Sequence, residues 1–382
     1  MNHDTIGPRP LDGLTVLDCS QFLAGPSASL RLADLGADVI KLERRDGGDA
    51  SRILRVRGPS ADSGGLLFQI INRDKRSIAL DFKDSADRDR LFDLAATSDV
   101  FIESFRPGGA ERLGIGYEDL RRVNTRLVYG SVTGYGSSGP WTGRPGQDLL
   151  VQALAGLPWL SGESDGPPLP VGLSVVDTLA GAYLAQGILA CLVRRSISGA
   201  GARVEVSLLE SAIDLALEGL SCFLTTGQLP ERSKVAAAHP YLAAPYGLYE
   251  TSDGYLALAM GSVTALAGPL HAPRLAKYSD EESWMTKRDE IKDVIAQTLR
   301  SDTTAHWLGR LEPAGVWCAP LLTWSELVDE PAFEAIEMLQ TIHRGERTIT
   351  TTRCPIRIDG RLMLSNHPAP RLDEHADQST AS

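Results

Sequence analysis

Leu11–Glu43 reads LDGLTVLDCSQFLAGPSASLRLADLGADVIKLE, and the fold class follows from it. Leu14–Asp18 (LTVLD) is an apolar run of strand length. Gly25-Pro26 then opens a helical stretch that Gly36 stops just past Leu35, and Asp38–Leu42 (DVIKL) is a second strand-like run. Strand, helix and strand at this spacing form a βαβ unit. Further on, Ser77–Phe82, Val100–Glu103 and Leu127–Val132 are predicted strands, with a helix over Ser85–Ala96, so the first half predicts a doubly wound α/β layer of Rossmann type. Ligands of such sheets bind beyond the carboxyl ends of the strands. Here those loops are QFLAGP, ERRDGGD, DFKD, ESFRPGG and SVTGYG.

Val175–Arg195 predicts a mostly apolar helix with many small residues. The turn SGAGA, a strand over Arg203–Val206 and a second long helix from Ser207 to Leu224 follow. TTGQLPERSK reads as a linker, and the two strand-like runs of Ala244–Met260 around Ser-Asp-Gly read as a hairpin. The expected layout is a large α/β domain over 1–224, a linker and smaller α+β domain over 225–328, and a return to the large domain over 329–382. The closing tail LDEHADQSTAS is polar and expected to fray.

The 382 residues are 43% apolar and 23% charged, a globular composition with enough material for a large core. With 38 Lys and Arg against 49 Asp and Glu, the net charge of -11 opposes binding to nucleic acid or an anionic membrane. The five cysteines are odd in number and widely spaced, which fits reduced thiols and a cytoplasmic setting better than a disulfide framework. The first residues, MNHDTIGPRPLDGL, hold no apolar signal core, and no stretch approaches the roughly 18 uninterrupted apolar residues of a spanning helix.

Gly134, Gly136 and Gly139 spell G-x-G-x-x-G after a predicted strand. Pro140, Gly143, Pro145 and Gly146 forbid the helix that a dinucleotide site needs next, so these glycines are expected to let the backbone approach a ligand or another chain closely. No histidine lies between His3 and His239, and no zinc-type spacing occurs anywhere, so catalysis in the first half would rest on carboxylates and no metal is expected. Basic residues punctuate the strand ends: Arg44 and Arg45, Arg73 with Lys75 and Arg76, Lys83, Arg106 and Arg112. Converging there, they would suit a ligand with several phosphates.

These segments, together with GGDASR, NRDKRSIALDFK, DVFIESFRPGGAERLGIGYEDL, NTRLVYGSVTGYGSSGPWTGRPGQD, PVGLSVVDTLAGAYLAQGILA and GARVEVSLLESA, resemble the class III coenzyme A transferases, the formyl-CoA transferase or carnitine dehydratase family, in order and over nearly the whole chain. HPYLAAPYGLYETSDGYLALA and GVWCAPLLTWSEL continue the likeness. The resemblance implies coenzyme A transfer from an acyl-CoA to a carboxylic acid acceptor. It places the aspartate nucleophile, which would carry mixed anhydrides and an aspartyl-CoA thioester, at Asp148 in RPGQD. It places coenzyme A contacts at Leu23, Ala24, Arg44, Leu80, Lys83, Ser104, Phe105, Arg106 and Arg112. It also implies an intertwined homodimer, with an acyl pocket between the large domain and the partner's small domain. Trp141, Trp159, Tyr241 and Tyr246 are candidate lining residues there.

Two departures bear on the substrate. The formyl-CoA branch has a lysine where this chain has Thr133, and its glycine-rich lid is absent from LPERSKVAAAHPYL, so formate and oxalate are not the expected acids. A rival within the fold is 2-methylacyl-CoA racemisation by a His and Asp pair. Here the two positions hold Gln147 and Asp177, and glutamine exchanges no proton near neutral pH. On the bland reading Asp177 caps the following helix. A non-catalytic coenzyme A-binding protein is the other alternative, against which Asp148 speaks.

Overall fold

The computed structural model describes residues 8–54 and 64–377; His3 and the last five residues of the polar tail lie outside them. Two compact units emerge. One comprises Met1–Val151, Ser174–Ala212 and Glu337–Ser382, the other Gln152–Leu173 and Ile213–Ile336.

The first unit is built on a parallel sheet of six strands: β1 (Thr15–Cys19), β2 (Asp38–Glu43), β3 (Lys75–Ala79), β4 (Val100–Glu103), β5 (Val128–Thr133) and β6 (Ala202–Ser207). Their order is β3-β2-β1-β4-β5-β6, so the chain reverses direction across the sheet between β1 and β4. Ligands of doubly wound sheets collect at that switch point. β1 and β4 are buried at every position, as strands covered on both faces must be.

Helices fill the crossovers: α1 (Ala24–Asp34), α2 (Leu66–Ile71), α3 (Ser85–Thr97), α4 (Gly109–Arg112), α5 (Tyr117–Val123), α6 (Asp148–Leu154) and α7 (Val175–Ser198). α3 and α5 send Leu91, Leu94 and Leu120 into one core with Leu17, Ile40, Phe101 and Tyr129 of the sheet. On the other face α1 and α7 lie against each other. A side chain at Gly181 would sit 2.1 Å from Ser27 Oγ and 2.6 Å from Ala24 O, so this crossing requires glycine. Among the described residues α7 is the one helix long and apolar enough to cross a membrane (mean hydropathy 1.6), which a search for an uninterrupted apolar run passes over. Here its Val176, Ala180, Leu184 and Ile188 are buried against α1, β5 and β6.

Three expectations shift. β3 starts at Lys75, not Ser77, so Lys75 and Arg76 stand at the amino end of the strand. The helix expected over Ser207–Leu224 is two, α8 (Leu208–Leu215) and α9 (Leu217–Thr226), interrupted at Ala216. The tail is docked as far as it is described. Ser77 accepts the His375 N–H at 3.0 Å and Asp373 Oδ1 accepts the Ala79 N–H at 2.7 Å. These bonds occupy β3, an edge strand whose backbone groups would otherwise face solvent.

The second unit carries a three-stranded antiparallel sheet of β7 (Gly247–Glu250), β8 (Tyr255–Leu258) and β9 (Cys318–Pro320). β7 and β8 form the hairpin expected around Ser252-Asp253-Gly254, packed on a core that includes Leu256, Ile291, Ile295 and Trp307.

Beneath the carboxyl edge of the large sheet lies a fully buried cluster of charges. Lys75 Nζ meets Asp18 Oδ2 at 2.9 Å, and Lys41 Nζ meets Asp49 Oδ2 at 2.9 Å and Asp18 Oδ2 at 3.8 Å. Burial opposes the charge on Asp18, but Lys41 and Lys75, with the hydroxyls of Ser20 and Ser29, reverse this and hold its carboxyl well below the usual range. Removing one partner leaves an uncompensated buried charge. Lys75→Met is therefore expected to cost about 3–5 kcal/mol of unfolding free energy, read as a lower urea midpoint at unchanged slope.

Candidate functional site

The carboxyl-edge loops are tied to one another before any ligand arrives. Gln21 N–H donates to Ser104 Oγ at 2.9 Å, joining the loops after β1 and β4 across the switch point. Phe22 N–H donates to Asp49 Oδ1 at 3.2 Å, joining the loop after β1 to that after β2. Glu43 accepts a bidentate pair from Arg52 (2.6 and 2.7 Å) and the Asp49 N–H at 2.9 Å, folding GGDASR back over its own strand.

Between these loops opens a cleft of ≈ 380 Å³ lined by Gln21, Arg44, Leu80, Lys83, Phe105 and Leu113, among others. Of the nine residues the resemblance marks for coenzyme A, Arg44, Leu80, Lys83 and Phe105 thus share one cleft. Leu23, Ala24, Ser104, Arg106 and Arg112 belong to the same loops or to α4 without lining it. Gln21, which the sequence did not single out, lines it too. Arg44, Lys83, Arg106 and Arg112 are exposed, and none has an ion pair among the described residues. The other basic residues are already occupied. Arg45 holds Asp87 at 2.6 and 2.8 Å, Arg73 meets Asp34 at 3.2 Å, Arg76 pairs with Asp38, and Lys75 serves the buried cluster. The expected convergence on an anion therefore shrinks to four residues.

Asp148 is brought to the same edge by a closed loop. β5 ends at Thr133, and Gly134 then packs directly on Gly146. A side chain on either would lie 2.6–2.7 Å from the other's Cα. Tyr135 Oη donates to Pro145 O at 3.1 Å beside this crossing. The close approach expected of the glycine motif is thus made at Gly134 to this chain's own backbone. Asp148 opens α6, and its Oδ2 accepts the N–H groups of Val176 and Asp177 at 2.8 and 2.9 Å. Ser174, the cap residue of α7, makes no side-chain cap bond, so Asp148 caps α7. Because α7 leads into β6, which is parallel to β5, its amino end lies at the carboxyl edge of the sheet.

Asp177, expected as a possible cap, instead stands in the first turn of α7 with its backbone N–H given to Asp148. Burial, and then the charge of Asp148, push its carboxyl up to about 6. Two carboxylates therefore meet at the positive end of a helix dipole. One is satisfied by backbone donors; the other is held at a cost. Of the four aromatic candidates, Trp141 packs edge-on to Tyr135, Trp159 lies under Arg232, and Tyr241 stands beside His239. Tyr246 lines an apolar cavity of ≈ 350 Å³ within the second unit.

The sequence profile of CoA-transferase family III matches residues 11–376. The chain belongs to that family. The Acetyl-CoA:oxalate CoA-transferase of Acetobacter aceti is 35% identical over 373 residues, 96% of this chain and 93% of that protein. The Succinyl-CoA:mesaconate CoA-transferase of Haloarcula hispanica is 35% identical over 96% of this chain and 94% of that one. A crystal structure of a mutant of Rv3272 from Mycobacterium tuberculosis superposes with a TM-score of 0.86 at 31% identity, covering 98% of this chain and 99% of that one. A CAIB/BAIF family protein from Brucella suis gives 0.82 at 29% identity, over 97% and 98%. This family member is therefore a CoA-transferase acting between acyl-CoA and carboxylate substrates.

The strain at Asp177 has a measurable sign. Its folded value, about 6, is raised above the ordinary 3.8, so the fold penalises the ionised form. That penalty is absent below the ordinary value and complete once pH exceeds the folded one. Asp177→Asn should accordingly stabilise the protein by ~1–3 kcal/mol at pH 8, with the gain vanishing towards pH 4, as followed by thermal unfolding across that range.

Proposed function

We propose that the chain moves coenzyme A from an acyl-CoA donor to a carboxylic acid acceptor by covalent carboxylate catalysis, and that Asp148 is the attacking group. The observation that carries this reading is the unequal pair at the start of α7. Asp148 has its Oδ2 engaged by two backbone N–H groups. Those donors fix Asp148 at the carboxyl edge of the sheet, the edge on which the cleft opens, and the raised Asp177 stands beside it. The resemblance implies the same nucleophile.

In the proposed sequence an Asp148 oxygen attacks the thioester carbonyl, the C–S bond breaks, and the thiolate leaves with its electron pair. The thiolate then attacks the aspartyl carbonyl of the mixed anhydride, releasing the donor acid as carboxylate and leaving an aspartyl-CoA thioester. The acceptor carboxylate attacks that thioester, and the thiolate takes the new acyl group, restoring Asp148. No proton is gained or lost overall, and acyl activation is conserved. Acylation also neutralises Asp148 and so removes its repulsion on Asp177, the smaller of the two causes that raise Asp177. The cleft at the switch point supports coenzyme A binding by Arg44 and Lys83 on phosphate oxygens and by Leu80 and Phe105 against the apolar parts, with Arg106 and Arg112 supplying further cations from the neighbouring loop and α4.

We place the enzyme in the cytoplasm, consistent with its free cysteines, and as a homodimer of interlocked chains, which the family resemblance implies. The acids are not named by the site. Thr133 and the missing lid still speak against oxalate, while one relative carries that acid in its name. Racemisation would need a second proton carrier, and Gln147 supplies none.

Incubation with succinyl-CoA followed by intact mass spectrometry tests the mechanism. Wild type should gain a covalent coenzyme A adduct and Asp148→Asn should gain none. Asp177→Asn should still form it, with turnover reduced about 10–100-fold. An adduct on Asp148→Asn but not on Asp177→Asn would move the nucleophile to Asp177. No adduct on wild type with any of several acyl-CoAs would sink covalent catalysis altogether. Lys83→Ala should raise KM for acyl-CoA about tenfold with little change in kcat.

A further inference from the structure

The amino ends of the strands, on the opposite edge of the large sheet from the site above, enclose a polar cavity of ≈ 500 Å³. Residues far apart in sequence build it: Arg9 before β1, Asp74 and Arg76 at the start of β3, and Arg344, His367 and His375 from the returning chain. Four buried side-chain polar atoms have no hydrogen-bond partner among the described residues. The fourth, Asp49 Oδ2, faces Lys41 at 2.9 Å; the other three, Arg9 Nη1, Asp74 Oδ2 and Arg344 Nε, belong to residues of this cavity. Buried polar atoms are otherwise almost always satisfied, so three orphans around one space call for an occupant with matching groups.

The orphans are held in place by their neighbours. Asp74 sits at φ 57, donates its N–H to His367 O at 3.0 Å, and accepts the N–H groups of Asn366 and His367 on Oδ1 at 2.8 and 2.6 Å. That leaves Oδ2 in want of a donor. Arg344 gives Nη2 to Ala369 O at 2.6 Å and to Glu374 Oε2 at 2.9 Å, leaving Nε. His375 accepts the Ser77 N–H on Nδ1 at 3.2 Å, which puts its own proton on Nε2 and adds a donor to the cavity wall.

We propose that this cavity binds a protonated oxyanion of the phosphate class, with Arg9 and Arg344 donating to its oxygens and Asp74 Oδ2 accepting its hydroxyl. Inorganic phosphate carries such a hydroxyl near neutral pH, whereas a phosphate monoester, with its second pKa at about 6, has largely lost it at pH 7. Sulfate carries none, and would set its own lone pairs against those of Asp74, so the carboxylate acts as a filter by repulsion.

Calorimetric titration of the full chain at pH 7 tests this. Saturating coenzyme A is present throughout, so that the phosphate-binding residues of the carboxyl edge are already engaged. Inorganic phosphate and glycerol 3-phosphate are compared with sulfate at equal ionic strength. Inorganic phosphate should bind at least about tenfold more tightly than sulfate, and glycerol 3-phosphate more weakly than free phosphate. Asp74→Asn keeps the left-handed backbone and the Oδ1 acceptor but turns the other atom into a donor, and should bring sulfate to within about threefold of phosphate. Arg344→Gln should weaken phosphate about tenfold without altering coenzyme A affinity. Absence of phosphate heat, equal binding of phosphate and sulfate by wild type, or preference surviving in Asp74→Asn would each overturn the proposal. Should Arg344→Gln fail to fold, Asp74→Asn decides alone.

Discussion

The constraint on which the rest depends is the group of charges sealed under the carboxyl edge of the sheet. Asp18, Lys41 and Ser77 stand in register across β1, β2 and β3, and Lys75 reaches in from the start of β3. Such pairs add little net stability, since desolvation offsets most of their attraction, but none of the four ions can be left without its partner. Several of those partners are loop atoms: the carbonyls of Ser20 and Pro26, and the carboxylate of Asp49. The loops after β1 and β2 are therefore set by the need to neutralise buried charge. The cleft inherits their positions. Burial lowers Lys75 to about 8 in spite of Asp18, so above that pH the ammonium gives up its proton and, with it, the ion pair to Asp18.

The sheet was legible because parallel strands buried on both faces read as mostly apolar runs, as LTVLD and DVIKL do around their Asp and Lys residues. The hairpin at Ser-Asp-Gly was legible from turn chemistry. What could not be read locally was where charges go. Lys75 and Arg76 look like loop cations because nothing nearby in sequence shows that Asp18 and Asp38 will come to meet them. The docked tail was missed for the same reason. Its polarity looks like fraying until Ser77 and Ala79 are seen to need partners on an open edge.

The carboxylates show how a motif takes its setting from bonds made far along the chain. RPGQD draws attention to Asp148 because a Pro/Gly turn delivers it, yet the delivery ends on two backbone donors of a helix that starts well downstream. Asp177, in an apolar helical stretch, reads as a cap by position. Its distinction is environmental: burial and a neighbouring negative charge, neither visible in a linear reading. Leu80 and Phe105 in the cleft were reached only through resemblance, since apolar residues at strand ends give no signal of their own.

The contact of Gly134 with Gly146 separates two tasks within one stretch of chain. The segment between them leaves the sheet and returns to the same point, while both carboxylates are positioned after the crossing or on α7. Insertions, deletions and substitutions in the excursion, which carries Trp141 and Arg144, change what hangs over the edge without moving the knot. A lineage that keeps the two glycines is free to rework the excursion and so explore new acids while its chemistry stays put.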